Sequence, residues 1–237
     1  MSRVNVTRNI HIIIVAAGSG SRFGSALPKQ FCELDGRPVL MHTIDAFRTA
    51  LPEASIAVVI SREMKDLWLQ LCERHSFDSP QIVFGGPTRW ASVANALAEP
   101  TCPRDDSAII MVHDGARPLI DSATLRRICE GFNAAADGVL PTVALSDSVR
   151  QIDAYSRSHA LDRSSLRAVQ TPQAFRADKL HNAYRQPYRP TFTDDASVME
   201  NAGYTALRLV EGSAENIKIT NPDDIAIASL ILRHRNC

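Results

Sequence analysis

The sequence lacks an excess of charge of either sign and lacks any long hydrophobic run. Among its 237 residues, Lys plus Arg and Asp plus Glu number 26 each, so the basic excess of general nucleic-acid or membrane-surface binders is absent. No apolar run approaches the length that crosses a bilayer, and the polar residues before the first apolar run do not resemble a signal peptide. We therefore expect a cytoplasmic protein that binds neither nucleic acid nor membranes.

Cysteine is scarce and irregularly spaced. The five cysteines include no Cys-x-x-Cys pair, and they are scattered along the chain at positions 32, 72, 102, 129 and 237. An odd, scattered set of thiols argues against a disulfide framework and against a zinc site. The Gly-x-Ser-x-Gly motif is also absent, so a serine nucleophile of that type is not expected.

The most informative stretch begins with the first apolar run, Ile12–Val15. Four β-branched residues in succession predict a strand that is buried on both faces. The small residues AAGSGS follow at 16–21, where uncovered N–H groups and the access of glycine to positive φ angles suit an anion. Arg22 and Lys29 then supply fixed positive charge. A strand, a small-residue loop and nearby cations together predict a phosphate-binding site.

This loop matches neither of the two common nucleotide-binding fingerprints. Gly24 comes one residue too late to complete Gly-x-Gly-x-x-Gly after Gly18 and Gly20, and no Gly-Lys-Ser/Thr completes a Walker loop. The second strand, 55–60, ends in Ser-Arg rather than in the acidic residue that binds the ribose of NAD. An NAD-dependent oxidoreductase is therefore disfavoured, and an ordinary glycine-rich connection is the alternative to a phosphate site.

Strand and helix patterns alternate through the first part of the chain. Strands are predicted at 12–15, 55–60, 81–84 and 108–112, and helices at 38–50, 62–75, 88–97 and 121–135, the last two capped by Thr88 and Asp121. This alternation predicts an α/β fold with a doubly wound, mostly parallel sheet. Because ligands bind outside the carboxyl ends of such strands, the glycine loop, Gly85–Gly86 and Asp114 should meet at one edge.

The pattern changes after Gly138. A strand at 139–144 contains Pro141, which favours an edge strand or a bulge. Extended segments are predicted at 146–152 and 166–170, and the residues between them are polar. Such a hairpin cannot bury itself and normally packs on another surface. We predict a single domain over 1–237 in which 146–170 is a dimerisation arm. Beyond the arm, the patterns predict helices at 176–184, 194–201 and from 221 onward, a strand at 206–210 and an extended segment at 215–220.

Asp114 is the candidate metal ligand. It ends the fourth strand, where a carboxylate is costly unless it caps a turn or binds a cation. One carboxylate combined with substrate phosphates is a typical Mg²⁺ site, whereas a turn before Gly115 is the alternative. His113 is expected to be a core residue. Lys218 alternates with isoleucines in the segment 215–220 and should face solvent or a site. This combination suits phosphoryl chemistry, in which the protein mainly positions and neutralises charge.

Seven separated segments, in order from Ile12 nearly to the C-terminus, resemble the 2-C-methyl-D-erythritol 4-phosphate cytidylyltransferases of the non-mevalonate isoprenoid pathway. They are AAGSGSRFGSALPKQF, VHDGARP, DSVRQ, LDRSSL, QTPQAF, FTDDAS and VEGSAENIKITNPDDIAIA. The resemblance implies a Rossmann-like nucleotidyltransferase fold with a protruding β-arm, and a homodimer formed through that arm. It also implies transfer of CMP from CTP to methylerythritol phosphate, with release of pyrophosphate and with Mg²⁺ as cofactor.

The same resemblance assigns roles to individual residues. The catalytic cations would be Arg22, Lys29, Arg163 and Lys218. The CTP site would comprise Ala16, Ala17, Gly18, Gly20, Gly86, Ser92 and Lys218. The sugar phosphate would be bound by Arg117, Ser148, Arg163 and Thr193. Arg163 would reach the site from the arm of the second subunit, and Asp114 would hold the Mg²⁺.

Two positions depart from the pattern of the family. Pro87 stands where many members have an acidic residue, so a contact with the base there would have to use backbone carbonyls, and we leave Pro87 off the predicted site. Ser148 stands where a threonine is expected and keeps the hydroxyl. Two alternatives stay open, namely a cytidylyltransferase for another polyol phosphate such as ribitol 5-phosphate, and a nucleotide-binding protein without catalytic activity.

Overall fold

Residues 9–18 and 27–235 are described by a computed structural model of the chain. The strands are β1 (Ile10–Val15), β2 (Glu33–Leu34), β3 (Arg37–Pro38), β4 (Ser55–Ile60), β5 (Gln81–Phe84), β6 (Ile109–Asp114), β7 (Gly138–Ala144), β8 (Val149–Ile152), β9 (Ser158–Leu161), β10 (Arg167–Val169), β11 (Gln173–Arg176) and β12 (Leu207–Glu211). The α-helices are α1 (Val39–Ala50), α2 (Lys65–Arg74), α3 (Arg89–Ala98), α4 (Ser122–Gly131), α5 (Ala177–Ala183), α6 (Asp195–Asn201) and α7 (Asp223–Arg235).

Eight of the strands form one mixed sheet in the order β5-β4-β1-β6-β11-β7-β12, and β10 continues beside β7 beyond the end of β11. The strands β5, β4, β1 and β6 are parallel to one another, whereas β11 runs antiparallel to both of its neighbours. The predicted α/β fold with a mostly parallel sheet is confirmed.

The first strand is buried on both faces, as its β-branched run predicts. Ile12 and Ile14 pack with α1, α2 and α4, whereas Ile13 packs with α3, α5 and α6 on the other face of the sheet. All three side chains are completely buried. Burial of each side chain stabilises the fold by roughly 1.5–3 kcal/mol relative to exposure. The apolar residues of β1 therefore favour an arrangement with helices on both faces of the sheet.

Helix α4 begins as predicted but ends earlier. Asp121 caps its amino end, whereas its last residue is Gly131 rather than Ala135. The side chain of Asn133 accepts hydrogen bonds from the backbone N–H groups of Ala135 and Ala136, both at 3.0 Å. Such a local side-chain contact competes with helix continuation, and the expected extra turn is wrong for that reason.

Pro141 lies inside the sheet rather than at its edge, because β12 pairs with β7 on one side and β10 and β11 pair with it on the other. On the second side, the β11 pairing ends at Val139 and the β10 pairing begins at Thr142. The carbonyl of Pro141 faces this break and accepts from Gln170 N at 2.8 Å. Of the two predicted positions, an edge strand or a bulge, the edge is wrong, and the proline is tolerated because no ladder hydrogen bond is required of its nitrogen there.

The arm is a shorter hairpin than predicted. The strand β8 pairs with β9, not with 166–170, while β10 joins the main sheet along β7. Side chains from 150 to 160 are exposed throughout, including Ile152 at 68% and Tyr155 at 80%. The prediction that 153–165 only connects the two strands is wrong, because this polar segment contains β9, the second strand of the hairpin.

Neither a membrane span nor a disulfide is found in the part of the chain that the structure describes. None of the helices there is long and apolar enough to cross a bilayer. The four cysteines at 32, 72, 102 and 129 form no disulfide. Segment 215–220, predicted as extended, has no partner strand in the described sheets.

Candidate active site

The carboxyl ends of the parallel strands open into one cleft with a volume of about 890 Å³. It is lined by Val15, Ala16, Ala17, Gly18, Lys29, Gln30, Gly86, Pro87, Thr88, Arg89, Ser92, Asp114, Ala116, Lys218, Thr220 and Asn221. Residues 16–18 of the glycine loop, the Gly85–Gly86 turn and Asp114 therefore meet at one edge of the sheet, as the strand pattern predicts.

The predicted site residues fall into three groups. Those that line the cleft are Ala16, Ala17, Gly18, Lys29, Gly86, Ser92, Asp114 and Lys218. Gly20 and Arg22 lie outside the described residues. Arg117 contacts Asp114, whereas Ser148, Arg163 and Thr193 are exposed and do not line the cleft of a single chain. The guanidinium of Arg163 instead donates to the carbonyl of Ser146, within the arm segment.

The described part of the glycine loop is fixed by Gln30. This side chain is 4% exposed, and its Nε2 donates to Ala16 O at 2.6 Å and to Gly18 O at 3.0 Å. Gly18 does not adopt a positive φ angle, and a Cβ added there would meet nothing within 4 Å. In the described loop, glycine therefore contributes open space rather than an unusual backbone angle. By donating to the carbonyl oxygens of Ala16 and Gly18, Gln30 satisfies two acceptors that would otherwise repel a bound anion.

The Gly85–Gly86 turn packs directly against the glycine loop. A Cβ added to Gly85 would lie 2.4 Å from the Cβ of Ala17, and one added to Gly86 would lie 2.5 Å from the Cβ of Ala91. Ser92 Oγ accepts from Gly86 N at 3.1 Å and donates to Thr88 O at 3.0 Å. The Ser92 hydroxyl thus holds the turn in place.

Pro87 is not among the predicted site residues, but it lines the cleft beside Gly86. A proline offers neither an N–H donor nor a polar side chain, so any polar contact at this position has to use a backbone carbonyl.

Asp114 is surrounded by three cations. Its Oδ2 lies 2.9 Å from Lys218 Nζ and 3.4 Å from Arg117 Nε, and its Oδ1 lies 3.6 Å from Arg89 Nε. Burial alone would raise the pKa of the Asp114 carboxyl, but Arg89, Lys218 and Arg117 hold it well below its usual range. The carboxylate is therefore ionised at neutral pH and faces the cleft.

The segment that follows β12 carries Lys218 and also holds the side chain of Arg117, which follows β6. Ile219 is completely buried, and its N–H donates to Ala116 O at 2.8 Å, which fixes the backbone next to Lys218. The carbonyl of Asn216 accepts from Arg117 Nη1 at 2.8 Å. The alternation in 215–220 thus places Lys218 toward the cleft and Ile219 toward the core.

Arg89 is a site residue that the sequence analysis missed. It is the first residue of α3, and its Nη2 donates to Asp195 Oδ2 at 2.7 Å. Burial opposes its charge, but Asp195 and Asp114 keep the pKa of its guanidinium above the usual range. A cation in the first turn of a helix opposes the helix dipole. That unfavourable placement was the signal that could have identified it.

His113 is a core residue, as predicted. Burial lowers its pKa to about 4, so the ring is neutral at pH 7. Its Nε2 lies 3.0 Å from Arg117 O and its Nδ1 lies 3.1 Å from Thr171 Oγ1, which in turn accepts from Asp114 N at 3.0 Å. Because a carbonyl only accepts, the proton belongs on Nε2. The chain of bonds fixes the backbone at the end of β6.

The Asp114 carboxylate suits a Mg²⁺ ion that is coordinated partly by the protein and partly by the phosphates of a bound substrate. Among the described residues, no group of three or more His, Cys, Asp or Glu side chains converges on one point. Mg²⁺ is commonly held by one or two carboxylates together with substrate phosphates rather than by a cage of protein groups. The ionised Asp114, which faces the cleft, can supply the carboxylate of such a site.

Comparison with known proteins gives one consistent result. The sequence model of the 2-C-methyl-D-erythritol 4-phosphate cytidylyltransferase family matches residues 10–234. A protein of that name from Bacteroides thetaiotaomicron is 43% identical over 222 residues, which cover 93% of this chain and 98% of the relative.

Two solved structures agree with this result. The 4-diphosphocytidyl-2C-methyl-D-erythritol synthase of Anaerococcus prevotii has a TM-score of 0.77 at 27% identity and covers 95% of this chain and 99% of its own. The 2-C-methyl-D-erythritol 4-phosphate cytidylyltransferase of Thermus thermophilus has a TM-score of 0.73 at 28% identity, with the same coverage of 95% and 99%. The sheet, the cleft and this likeness along almost the whole chain agree, and the chain belongs to the 2-C-methyl-D-erythritol 4-phosphate cytidylyltransferase family.

Proposed function

We propose that this protein transfers CMP from CTP to the phosphate of 2-C-methyl-D-erythritol 4-phosphate and releases pyrophosphate. The observation that carries the proposal is the cleft, in which a small-residue loop lies beside an ionised Asp114 and the cations Lys29, Lys218 and Arg89. A site of this kind binds and neutralises phosphates, and the family of the chain supplies the identity of the two substrates.

CTP is proposed to lie with its triphosphate along the glycine loop. The backbone of Ala16–Gly18 would face the phosphates, and Lys29 and Lys218, both of which line the cleft, would neutralise them. Arg22 belongs to the same proposed group of cations. The base would lie at the Gly86–Ser92 turn, where Pro87 restricts polar recognition to backbone carbonyls.

The reaction needs no protein nucleophile. A phosphate oxygen of the acceptor attacks the α-phosphorus of CTP in line, and the bond from that phosphorus to the bridging oxygen breaks. The electron pair leaves with pyrophosphate. The acceptor phosphate is already ionised at neutral pH, so no general base is required, and the cations stabilise the charge that develops on the α-phosphate and the leaving group.

Asp114 would hold Mg²⁺ in this complex. When bound, the metal would offset the charge of the triphosphate. Lys218, which contacts Asp114 Oδ2 and has a side chain 41% exposed, is the cation free to turn from the carboxylate to the phosphates.

The acceptor is proposed to bind between two subunits. Arg117 would bind its phosphate beside Asp114, with Ser148 and Thr193 as further contacts. Within one chain Arg163 does not line the cleft, and it would instead come from the arm of the other copy, as the family likeness implies. The exposed Ile152 and Tyr155 support a role in dimerisation for the β8–β9 hairpin, which lies within the predicted arm 146–170. The single domain and the cytoplasmic location stay predictions.

The test is an assay with CTP, Mg²⁺ and methylerythritol phosphate that measures pyrophosphate and identifies the CDP-linked product by mass spectrometry. We expect both products to form at equal rates and to depend on Mg²⁺. Parallel reactions contain ribitol 5-phosphate or no acceptor. Faster turnover with ribitol 5-phosphate would overturn the substrate assignment. Binding of CTP without pyrophosphate release with either acceptor would identify a nucleotide-binding protein without catalytic activity.

A further inference from the structure

Arg89 lines the cleft and adds to its positive charge, but the proposed reaction assigns it no contact with CTP, the acceptor or the metal. Its Nη2 donates to Asp195 Oδ2 at 2.7 Å, and its Nε lies 3.6 Å from Asp114 Oδ1. The guanidinium therefore lies between a carboxylate that faces the cleft and a carboxylate that is completely buried.

Asp195 is suited to anchor Arg89 rather than to bind a ligand. Both of its oxygens have partners, since Oδ2 accepts from Arg89 and Oδ1 accepts from the hydroxyl of Tyr184 at 2.6 Å. The ring of Tyr184 stacks on Trp90, with centroids 5.6 Å apart and an interplanar angle of 17°. A planar guanidinium held by a buried, fully bonded carboxylate has little freedom to move.

The three cations around Asp114 differ in what they can do. Arg89 faces Oδ1, whereas Arg117 and Lys218 face Oδ2, so the carboxylate is held from two sides. The side chain of Lys218 is 41% exposed and that of Arg89 is 30% exposed, but only Arg89 is tied to a completely buried carboxylate. When Lys218 turns toward phosphates, the contact of Arg89 with Oδ1 remains.

We infer that Arg89 is a positioning residue that, anchored by Asp195, fixes the orientation of the Asp114 carboxylate for a metal-bound triphosphate. The inference rests on the proposed function for the identity of the ligand. Groups that orient a metal ligand contribute strongly to metal binding even though they do not touch the metal.

The sign of one measurement separates this role from simple electrostatics. A positive charge beside a metal ligand repels the metal, so removal of Arg89 as a mere neighbouring charge would strengthen metal binding. Removal of a positioning residue weakens it. The two effects act in opposite directions on the same quantity.

The experiment measures Mn²⁺ binding by electron paramagnetic resonance in the presence of saturating CTP, for the complete chain and its variants. For Arg89→Gln we expect Mn²⁺ affinity to fall roughly tenfold or more, as for other groups that orient metal ligands. Arg89→Lys should recover part of the loss, because lysine keeps the charge but not the planar fork. Asp114→Asn provides the reference for loss of the ligand itself.

Lys179→Met is the matched control for loss of an ion pair. Lys179 Nζ lies 2.6 Å from Asp137 Oδ1, the two side chains are 28% and 12% exposed, and neither residue lines the cleft. The control should leave the Mn²⁺ affinity at the wild-type value. A melting temperature for each variant records any general loss of stability.

Mn²⁺ binding by Arg89→Gln that equals or exceeds wild-type binding would overturn the inference. If Arg89→Gln does not fold, Asp195→Asn replaces it, since this variant keeps Arg89 but weakens its anchor, and unchanged Mn²⁺ binding would overturn the inference equally. Failure of the proposed function looks different. The wild-type protein would then bind Mn²⁺ with CTP but form no product, and the comparison of variants would still decide the role of Arg89.

Discussion

Asp114 and His113 are neighbours at the end of β6, and at neutral pH their surroundings keep the first ionised and the second uncharged. Burial disfavours the charged form of both, yet three cations keep Asp114 ionised, whereas His113 stays neutral with a pKa of about 4. Successive side chains of a strand point to opposite faces, so the negative charge of this strand end is confined to the cleft side.

Lys29 is the described cation nearest in sequence to the glycine loop, and the proposed reaction needs it for charge that develops in the transition state. We expect Lys29→Ala to lower kcat by on the order of a hundredfold, as for the loss of other such charge donors. Steady-state pyrophosphate release measures this. Lys65→Ala, at an exposed position in α2, is the control. A kcat for Lys29→Ala within a factor of about two of wild type would remove Lys29 from the mechanism.

Gln30 tests whether the loop must be held in place. Gln30→Ala leaves the carbonyls of Ala16 and Gly18 without their donor, so we expect KM for CTP to rise and the free energy of unfolding to fall by about 1–3 kcal/mol. Gln81→Ala is the control, because that side chain bonds Glu99 away from the cleft. Unchanged KM for CTP in Gln30→Ala would show that the loop keeps its shape unaided.

At the scale of elements, the features predicted best from the sequence are those that depend on residues close together in the chain. The bounds of 55–60 and 81–84 agree with β4 and β5, and Thr88 and Asp121 cap their helices, because apolar runs and caps depend on neighbouring residues. The predicted hairpin partner of β8 is wrong because 158–161 and 166–170 are both short and both mix polar with apolar residues, and only the main sheet decides which one joins β7.

The strand β1 carries a titratable group, His11, that makes the stability of the folded protein depend on pH. His11 is 1% exposed, and its Nδ1 lies 2.7 Å from Ser55 Oγ. Burial, reinforced by the charge of His181, lowers the pKa of His11 from 6.5 to about 4. The unfolded chain therefore binds more protons at this group between those pH values, and the stability that neutral His11 contributes is lost as the pH falls from 6.5 toward 4.

We expect His11 to account for about 1.4 kcal/mol of lost stability per pH unit within that window. Urea unfolding at pH 7 and pH 5 measures the loss in the wild-type protein and in His11→Gln, in which it should be smaller. His159→Gln, on the exposed arm, should retain the wild-type pH dependence. An identical pH dependence in His11→Gln and wild type would show that His11 is not the group responsible.

At the scale of the whole molecule, the cleft assembles residues that no sequence spacing connects. Arg89 and Asp195 are 106 positions apart, and Arg117 contacts Asn216 at a separation of 99. The strand pattern predicted which loops meet, since the carboxyl ends of parallel strands share an edge. It could not predict that α6 delivers a buried carboxylate to the first residue of α3, because that contact depends on how two helices pack on one face of the sheet.

The assignment of Arg163 to a second subunit can be tested by mixing two inactive variants. If Arg163 acts across the dimer, a heterodimer of Lys29→Ala and Arg163→Ala contains one intact site, because the Lys29→Ala subunit supplies Arg163 to its neighbour. Equal mixing by random exchange should then restore about a quarter of wild-type activity in a symmetric dimer. If Arg163 acts within its own chain, both sites of the heterodimer are defective and activity stays at the level of the separate variants. Light scattering of each variant checks that dimers form, and a fully active monomer would contradict the role of the arm.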